Sequence, residues 1–193
     1  MPARQTKDYY VSFSKKPNVI FSLLFDIFDS LLGAIVVVFL LFLLFFRAVG
    51  VSGTSMVPTL SDNDWLAITS ITDKVEYGDI VVITQPWERD VPIIKRVIAT
   101  EGQTVDIDFT NGIVYVDGKQ LDEPYISEPT YTFYDVKFPL TVGEGQIFVM
   151  GDNRNGSLDS RSSKVGLIDE NYVLGKAVYR IYPNSKKLGD LNG

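Results

Sequence analysis

The 193-residue sequence contains no histidine and no cysteine. The first absence excludes every His-based triad. The second excludes disulfides, thiolate metal sites and a Cys nucleophile. Covalent catalysis then needs a hydroxyl, with Lys, Asp, Glu or a chain terminus as base. Positive charge is also scarce where it would matter for nucleic acid. Up to residue 47 there are five Lys/Arg against three Asp/Glu; beyond it there are 13 against 21. An acidic main domain lacks the basic patch that phosphate binding requires, which argues against a nucleic-acid partner. Beyond residue 47 there is also no long helical period, no internal repeat and no low-complexity tract.

What is abundant is apolar residues, 46% of the chain, and the excess sits in one place. Leu31–Phe46 is an apolar run interrupted only by Gly33. Counting back to Ile27 gives about 20 residues, enough to cross a bilayer core as helix. Asp29 then falls near the interface, away from mid-membrane, where charge is costly. Arg4, Lys7, Lys15 and Lys16 precede the run and predict a cytoplasmic N-terminus. A cleaved signal peptide is the other reading, because Ala48-Val49-Gly50 offers small residues. The long polar lead and the length of the run favour an anchor. The expected organisation is a lead over 1–29, a transmembrane anchor over 30–47, a β domain over 48–183 and a polar tail over 184–193.

The β reading rests on short β-branched runs between turn residues: Trp65–Thr69, Asp79–Thr84, Ile93–Ala99, Gln146–Met150 and Val173–Tyr182. Val105–Phe109 alternates and leads through Asn111-Gly112 to Ile113–Val116, a hairpin signal of the type I′ kind. Residues 122–139, rich in Pro and Tyr, read as an extended excursion.

Three stretches carry candidate chemistry. In Val51-Ser52-Gly53-Thr54-Ser55-Met56-Val57-Pro58-Thr59-Leu60, the Ser55 hydroxyl is framed by Gly53 and Pro58, suited to a rigid loop. In Ile93-Ile94-Lys95-Arg96-Val97-Ile98, strand alternation puts Lys95 beside β-branched groups. Burial there would lower its pKa and supply a neutral amine as base; a solvated pair of charges on an edge strand is the alternative. The third is Gly151-Asp152-Asn153-Arg154-Asn155-Gly156-Ser157-Leu158-Asp159-Ser160-Arg161. It fails as a calcium loop, because Arg154 holds the third position. It reads either as a turn stapled by Asp/Arg pairs or as a loop whose Ser157 orients the Lys95 amine while Asp159 and Arg161 hold it.

Together these blocks resemble the bacterial type I signal peptidases, membrane-bound Ser/Lys proteases, in their compact Gram-positive form. Gly53-Thr54-Ser55-Met56-Val57-Pro58-Thr59-Leu60, Lys95-Arg96-Val97-Ile98 and Gly151–Arg161 carry the resemblance. Val165–Ile168 and Val173–Ala177 extend it, over roughly residues 31–183. The resemblance implies a mainly β fold of coiled antiparallel sheets, shared with self-cleaving repressors, behind one transmembrane helix. It implies Ser55 as nucleophile and Lys95 as general base, with Ser157, Asp159, Arg161, Asp152 and Arg154 in support. The Ser55 backbone N–H, with Gly53 beside it, would form the oxyanion site. Val51, Leu60, Ile93 and Ile94 would line shallow pockets for small side chains, and core packing is the other reading of those four. The implied partners are preproteins and the lipid bilayer, with no metal or cofactor. The rival activity of this fold is non-catalytic assembly of surface proteins or pili.

Overall fold

The computed structural model describes residues 18–69, 74–84 and 91–188. The lead before residue 18 lies outside the described residues. The chain divides into two compact units, Met1–Phe42 and Leu43–Gly193.

The first unit is dominated by helix α1 (Val19–Phe45), 27 residues long. Its span Val19–Leu41 reaches a mean hydropathy of 2.4, long and apolar enough to cross a membrane. A helix suits such a sequence because every backbone group is satisfied within the segment. The helix begins earlier than the anchor expected over 30–47. Asp26 and Asp29 do not break it, since each costs a helix interior only about 0.7 kcal/mol or less. It also stops sooner. Arg47 belongs to a strand, β1 (Phe46–Gly50), because this segment pairs along its whole length with β2 (Trp65–Thr69), placing Arg47 opposite Ile68.

The second unit continues with β3 (Ile80–Ile83), β4 (Ile93–Thr100), β5 (Thr104–Asp108), β6 (Ile113–Val116), β7 (Lys119–Gln120), β8 (Leu140–Thr141), β9 (Gln146–Met150), β10 (Ile168–Asp169), β11 (Val173–Tyr182) and β12 (Lys186–Lys187). A single 3₁₀ turn, Glu170–Tyr172, is capped by the Asp169 carboxylate on Asn171 N–H. All pairings are antiparallel. The larger sheet runs β1-β2-β11-β3-β4-β9-β10, with β12 on β11; the smaller runs β7-β6-β5-β8. Register shifts in β11 and between Val97 and Ala99 of β4 interrupt the larger sheet. Such bulges bend a strand and add twist. The fold is mainly β, with a curled antiparallel sheet.

Three apolar clusters fill it. One gathers Met56, Leu60, Leu66, Ile68, Ile80, Val82 and Ile94. A second lies between the sheets around Ile98, Val105, Val114 and Phe148. A third joins Val81, Ile83, Val97, Ile147 and Val149. Each fully buried aliphatic side chain contributes about 1.5–3 kcal/mol.

One turn expectation changes. The loop after β5 has four residues, since Asp108 pairs with Ile113. Only Gly112 has positive φ, at 73°, so Asn111-Gly112 is not a two-residue type I′ turn. The Asp108 carboxylate explains this: it accepts from Thr110 N, Asn111 N and Asn111 Nδ2, favouring the wider loop. The two-residue turn with positive φ at both positions is Asp117-Gly118, at 52° and 72°. Past residue 183, Lys186 and Lys187 pair with Arg180 and Tyr179, and Leu188 is buried in the first cluster.

Candidate active site

Ser55 sits half-buried on a loop closed at its base. Val51 N–H donates to Asp64 O (2.8 Å) and Asn63 N–H to Val51 O (3.0 Å). Reversing the chain requires left-handed backbone at Gly53 (φ 92°) and Asn63 (φ 68°), and Gly and Asn adopt it most cheaply. Leu60 N–H reaches Met56 O, and both side chains plug the first apolar cluster. The residue after Ser55 is thus an anchor, which fixes the hydroxyl's position.

β4 delivers Lys95 to that hydroxyl. Lys95 Nζ lies 2.8 Å from Ser55 Oγ and 3.0 Å from Ile94 O. The side chain is only 4% exposed. Burial pulls its pKa down to about 8; the Asp159 and Asp152 carboxylates resist the fall, and the Arg161 guanidinium adds to it. An ammonium next to aliphatics loses hydration that two nearby carboxylates only partly replace.

The block Gly151–Arg161 wraps the other side. Asp159 and Arg161 form a fully buried two-pronged pair at 2.8 and 2.9 Å, and the second carboxylate oxygen also accepts Gly151 N–H. Asp152 takes Arg96 in the same fashion, at 2.8 and 2.7 Å. Arg154 finds its acid outside the block, in Glu123, at 2.5 and 2.9 Å, and also binds Thr130 Oγ1 and Gly151 O. The Tyr125 ring lies against both Arg96 (4.0 Å) and Arg154 (5.8 Å). Burial, then the Glu123 charge, drives its phenol far above the usual range.

Ser157 departs from expectation. Its Oγ is fully buried and has no hydrogen-bond partner, so the bond to Lys95 is not made in this structure. It is nevertheless close by. A Cβ placed on Gly151 would overlap both Ser157 Oγ and Ser55 O, so the glycine clears space shared by the two serines.

The oxyanion expectation divides. Among the described residues nothing hydrogen-bonds Ser55 N–H. The Gly53 N–H is occupied, donating to Asp62 Oδ1 at 2.8 Å, and in this geometry it is not a second free donor. The space around the Gly53 Cα is open, with no atom within 4 Å of where a Cβ would stand. The four pocket candidates are not brought together. Val51, Leu60 and Ile94 are buried in the first cluster, whereas Ile93 is half-buried against the third.

Sequence reasoning missed Glu123, Tyr125, Arg96, Asn153 and Asp62. The block holds two Asp and two Arg at the same spacing, yet only Asp159 and Arg161 pair with each other. Asn153 N–H donates to Ser55 O (3.0 Å) and its Nδ2 to Thr54 O (3.2 Å). Nothing local in the sequence announces those bonds, which join positions 98 and 99 residues apart.

Comparison with known proteins places the chain. The family model described as signal peptidase, peptidase S26, matches residues 24–182. A probable signal peptidase I-1 of Synechocystis is 40% identical over 68% of this chain and 69% of its own. Signal peptidase I of Bacillus licheniformis is 36% identical over 83% of this chain and 89% of its own. A crystal structure of a signal peptidase I from Enterococcus faecalis V583 is 29% identical, with a TM-score of 0.45, covering 54% of this chain and 97% of that one. The apolar helix and these relatives are consistent with a membrane-anchored protein. The contact between half-buried Ser55 and buried Lys95 thus coincides with the S26 match, and the chain belongs to the signal peptidase family, whose members are serine endopeptidases.

Proposed function

We propose that this enzyme removes N-terminal signal peptides from exported preproteins, with Ser55 as nucleophile and Lys95 as general base. The observation that carries the reading is the 2.8 Å contact between Ser55 Oγ and a buried Lys95 amine whose pKa lies near 8. A substantial fraction of that amine is neutral at working pH and can take the hydroxyl proton. As it does so, Oγ bonds to the scissile carbonyl carbon and the carbonyl electron pair moves to oxygen. The free Ser55 N–H meets that oxyanion. The ammonium of Lys95 then returns its proton to the departing amine, leaving an acyl-enzyme. A water, deprotonated by the same amine, releases the signal peptide.

Asp159 with Arg161, and Asp152 with Arg96, hold the walls of this site. Cleavage follows small residues, as signal peptide sites of the A-x-A type present. The basic lead of the chain supports a cytoplasmic N-terminus and a catalytic unit on the outer face of the membrane. The test is cleavage of a preprotein by the detergent-solubilised full chain. Ser55→Ala and Lys95→Ala should each abolish cleavage while leaving the fold intact. Cleavage by either variant at the unmodified rate overturns the dyad.

A further inference from the structure

Asn153 lies between Asp152 and Arg154, which pair with Arg96 and Glu123, yet its own bonds go elsewhere. Its Nδ2 donates to Thr54 O at 3.2 Å and its N–H to Ser55 O at 3.0 Å. The peptide joining Thr54 to Ser55 is a rigid plane, and its C=O and N–H point in opposite directions. Whatever holds Thr54 O therefore aims Ser55 N–H. That N–H has no partner among the described residues. We infer that Asn153 is a positioning residue that orients the Ser55 N–H for the oxyanion by gripping the far end of its peptide plane. The inference rests on the proposed Ser55/Lys95 reading and adds a role to it.

The room for this amide is built in. Gly156 is exposed, with an ordinary backbone, so conformational freedom does not call for glycine there. A Cβ at position 156 would stand 2.7 Å from Asn153 Nδ2 and 3.0 Å from its Cγ. A side chain at 156 therefore forces the Asn153 amide to shift from its present position. The same turn is closed by Gly156 N–H on Asn153 O, at 3.0 Å. Two remote changes thus reach one peptide plane: Asn153→Ala deletes the grip, and Gly156→Ala displaces it with the amide intact.

The experiment uses the full chain in detergent, a preprotein-derived peptide, and a peptide aldehyde of the same sequence. The aldehyde adds Ser55 Oγ at carbon, its oxygen takes the electron pair, and the Oγ proton passes to Lys95. Removing an oxyanion donor outright costs roughly 100–1000-fold in rate; loss of its alignment should cost about 10–100-fold. Both variants should lower kcat by that factor with KM within about twofold. Aldehyde affinity should fall in parallel with kcat/KM, and the alkaline rise of the pH profile should stay in place. Asn153→Asp should not rescue, because an ionised carboxylate has no proton for Thr54 O. If kcat falls while aldehyde affinity holds, or if the pH limb moves with it, Asn153 merely props the loop and the inference fails. If Asn153→Ala does not fold, Gly156→Ala alone decides by the same criteria. Retained cleavage by Ser55→Ala would instead remove the underlying reading, a result that cannot be confused with these.

Discussion

Arg96 and Asp152 meet through two parallel hydrogen bonds, 2.8 and 2.7 Å long, one residue along β4 from Lys95. The guanidinium also donates to Gly78 O and lies under the Tyr125 ring. The pair therefore braces the strand that carries the amine, and the Asp152 charge raises the Lys95 pKa. Asp152→Asn removes that charge. The acidic limb of kcat/KM should then move to lower pH, while thermal stability drops because Arg96 is left buried with a weaker partner. A limb that stays put or climbs would contradict the electrostatic assignment. The check is a pH–rate profile beside a melting curve.

The unmodified enzyme makes a related prediction. With Lys95 near pKa 8, kcat/KM should rise with pH through that value and level off above it. Folding stability follows from the same shift. The folded pKa lies below the ordinary lysine value of 10.5, so between about 8 and 10.5 the unfolded chain binds more protons and stability rises with pH. Lys95→Met removes the cost of burying the ammonium. At pH 7 it should stabilise the fold by about 3 kcal/mol, at 1.36 kcal/mol per tenfold. That gain should fade toward pH 10.5, as read by denaturant unfolding at several pH values.

Ser157 separates stability from activity. Its hydroxyl has no hydrogen bond to lose. Ser157→Ala should leave the melting temperature unchanged or raise it, since an unsatisfied buried polar group costs about 1–3 kcal/mol. Cleavage should nevertheless fall at least about tenfold if the hydroxyl turns to the neutral Lys95 amine during turnover. Equal activity would strip Ser157 of that role.

Glu123 anchors the excursion over 122–139. It is the acid of Arg154, whose side chain is fully buried. Glu123→Ala should destabilise the unit by about 3–5 kcal/mol, the usual cost of stranding a buried charge. Glu123→Gln should cost less, because one acceptor survives. Thermal unfolding of both variants tests the order.

Much of this arrangement was legible in the sequence and some was not, for physical reasons. The strands around Trp65, Ile80, Ile93 and Gln146 announced themselves by β-branched runs between turn residues. Ser55 and Lys95 stood out because, without His, few residues could serve as base. The partners of the block were hidden. Arg96–Asp152 and Arg154–Glu123 link residues 56 and 31 positions apart, and long-range pairing leaves no local pattern. The hairpin after β5 misled because Asn-Gly favours a tight turn, while the Asp108 carboxylate bonds three donors and wins. Helix α1 runs back through Asp29 and Asp26 to Val19, since helix propensity penalises the two acids lightly.

The serine loop is tied at its own neck, where Val51 meets both Asn63 and Asp64. A loop sealed in this way carries its shape with it. Exposed positions of β1 and β2, just outside the knot, reach the nucleophile only through two backbone bonds, whereas Leu66 and Ile68 pack with Met56 and Leu60 in one cluster. A chimera that swaps residues 51–64 as one cassette and keeps those two partners should hold the hydroxyl in register.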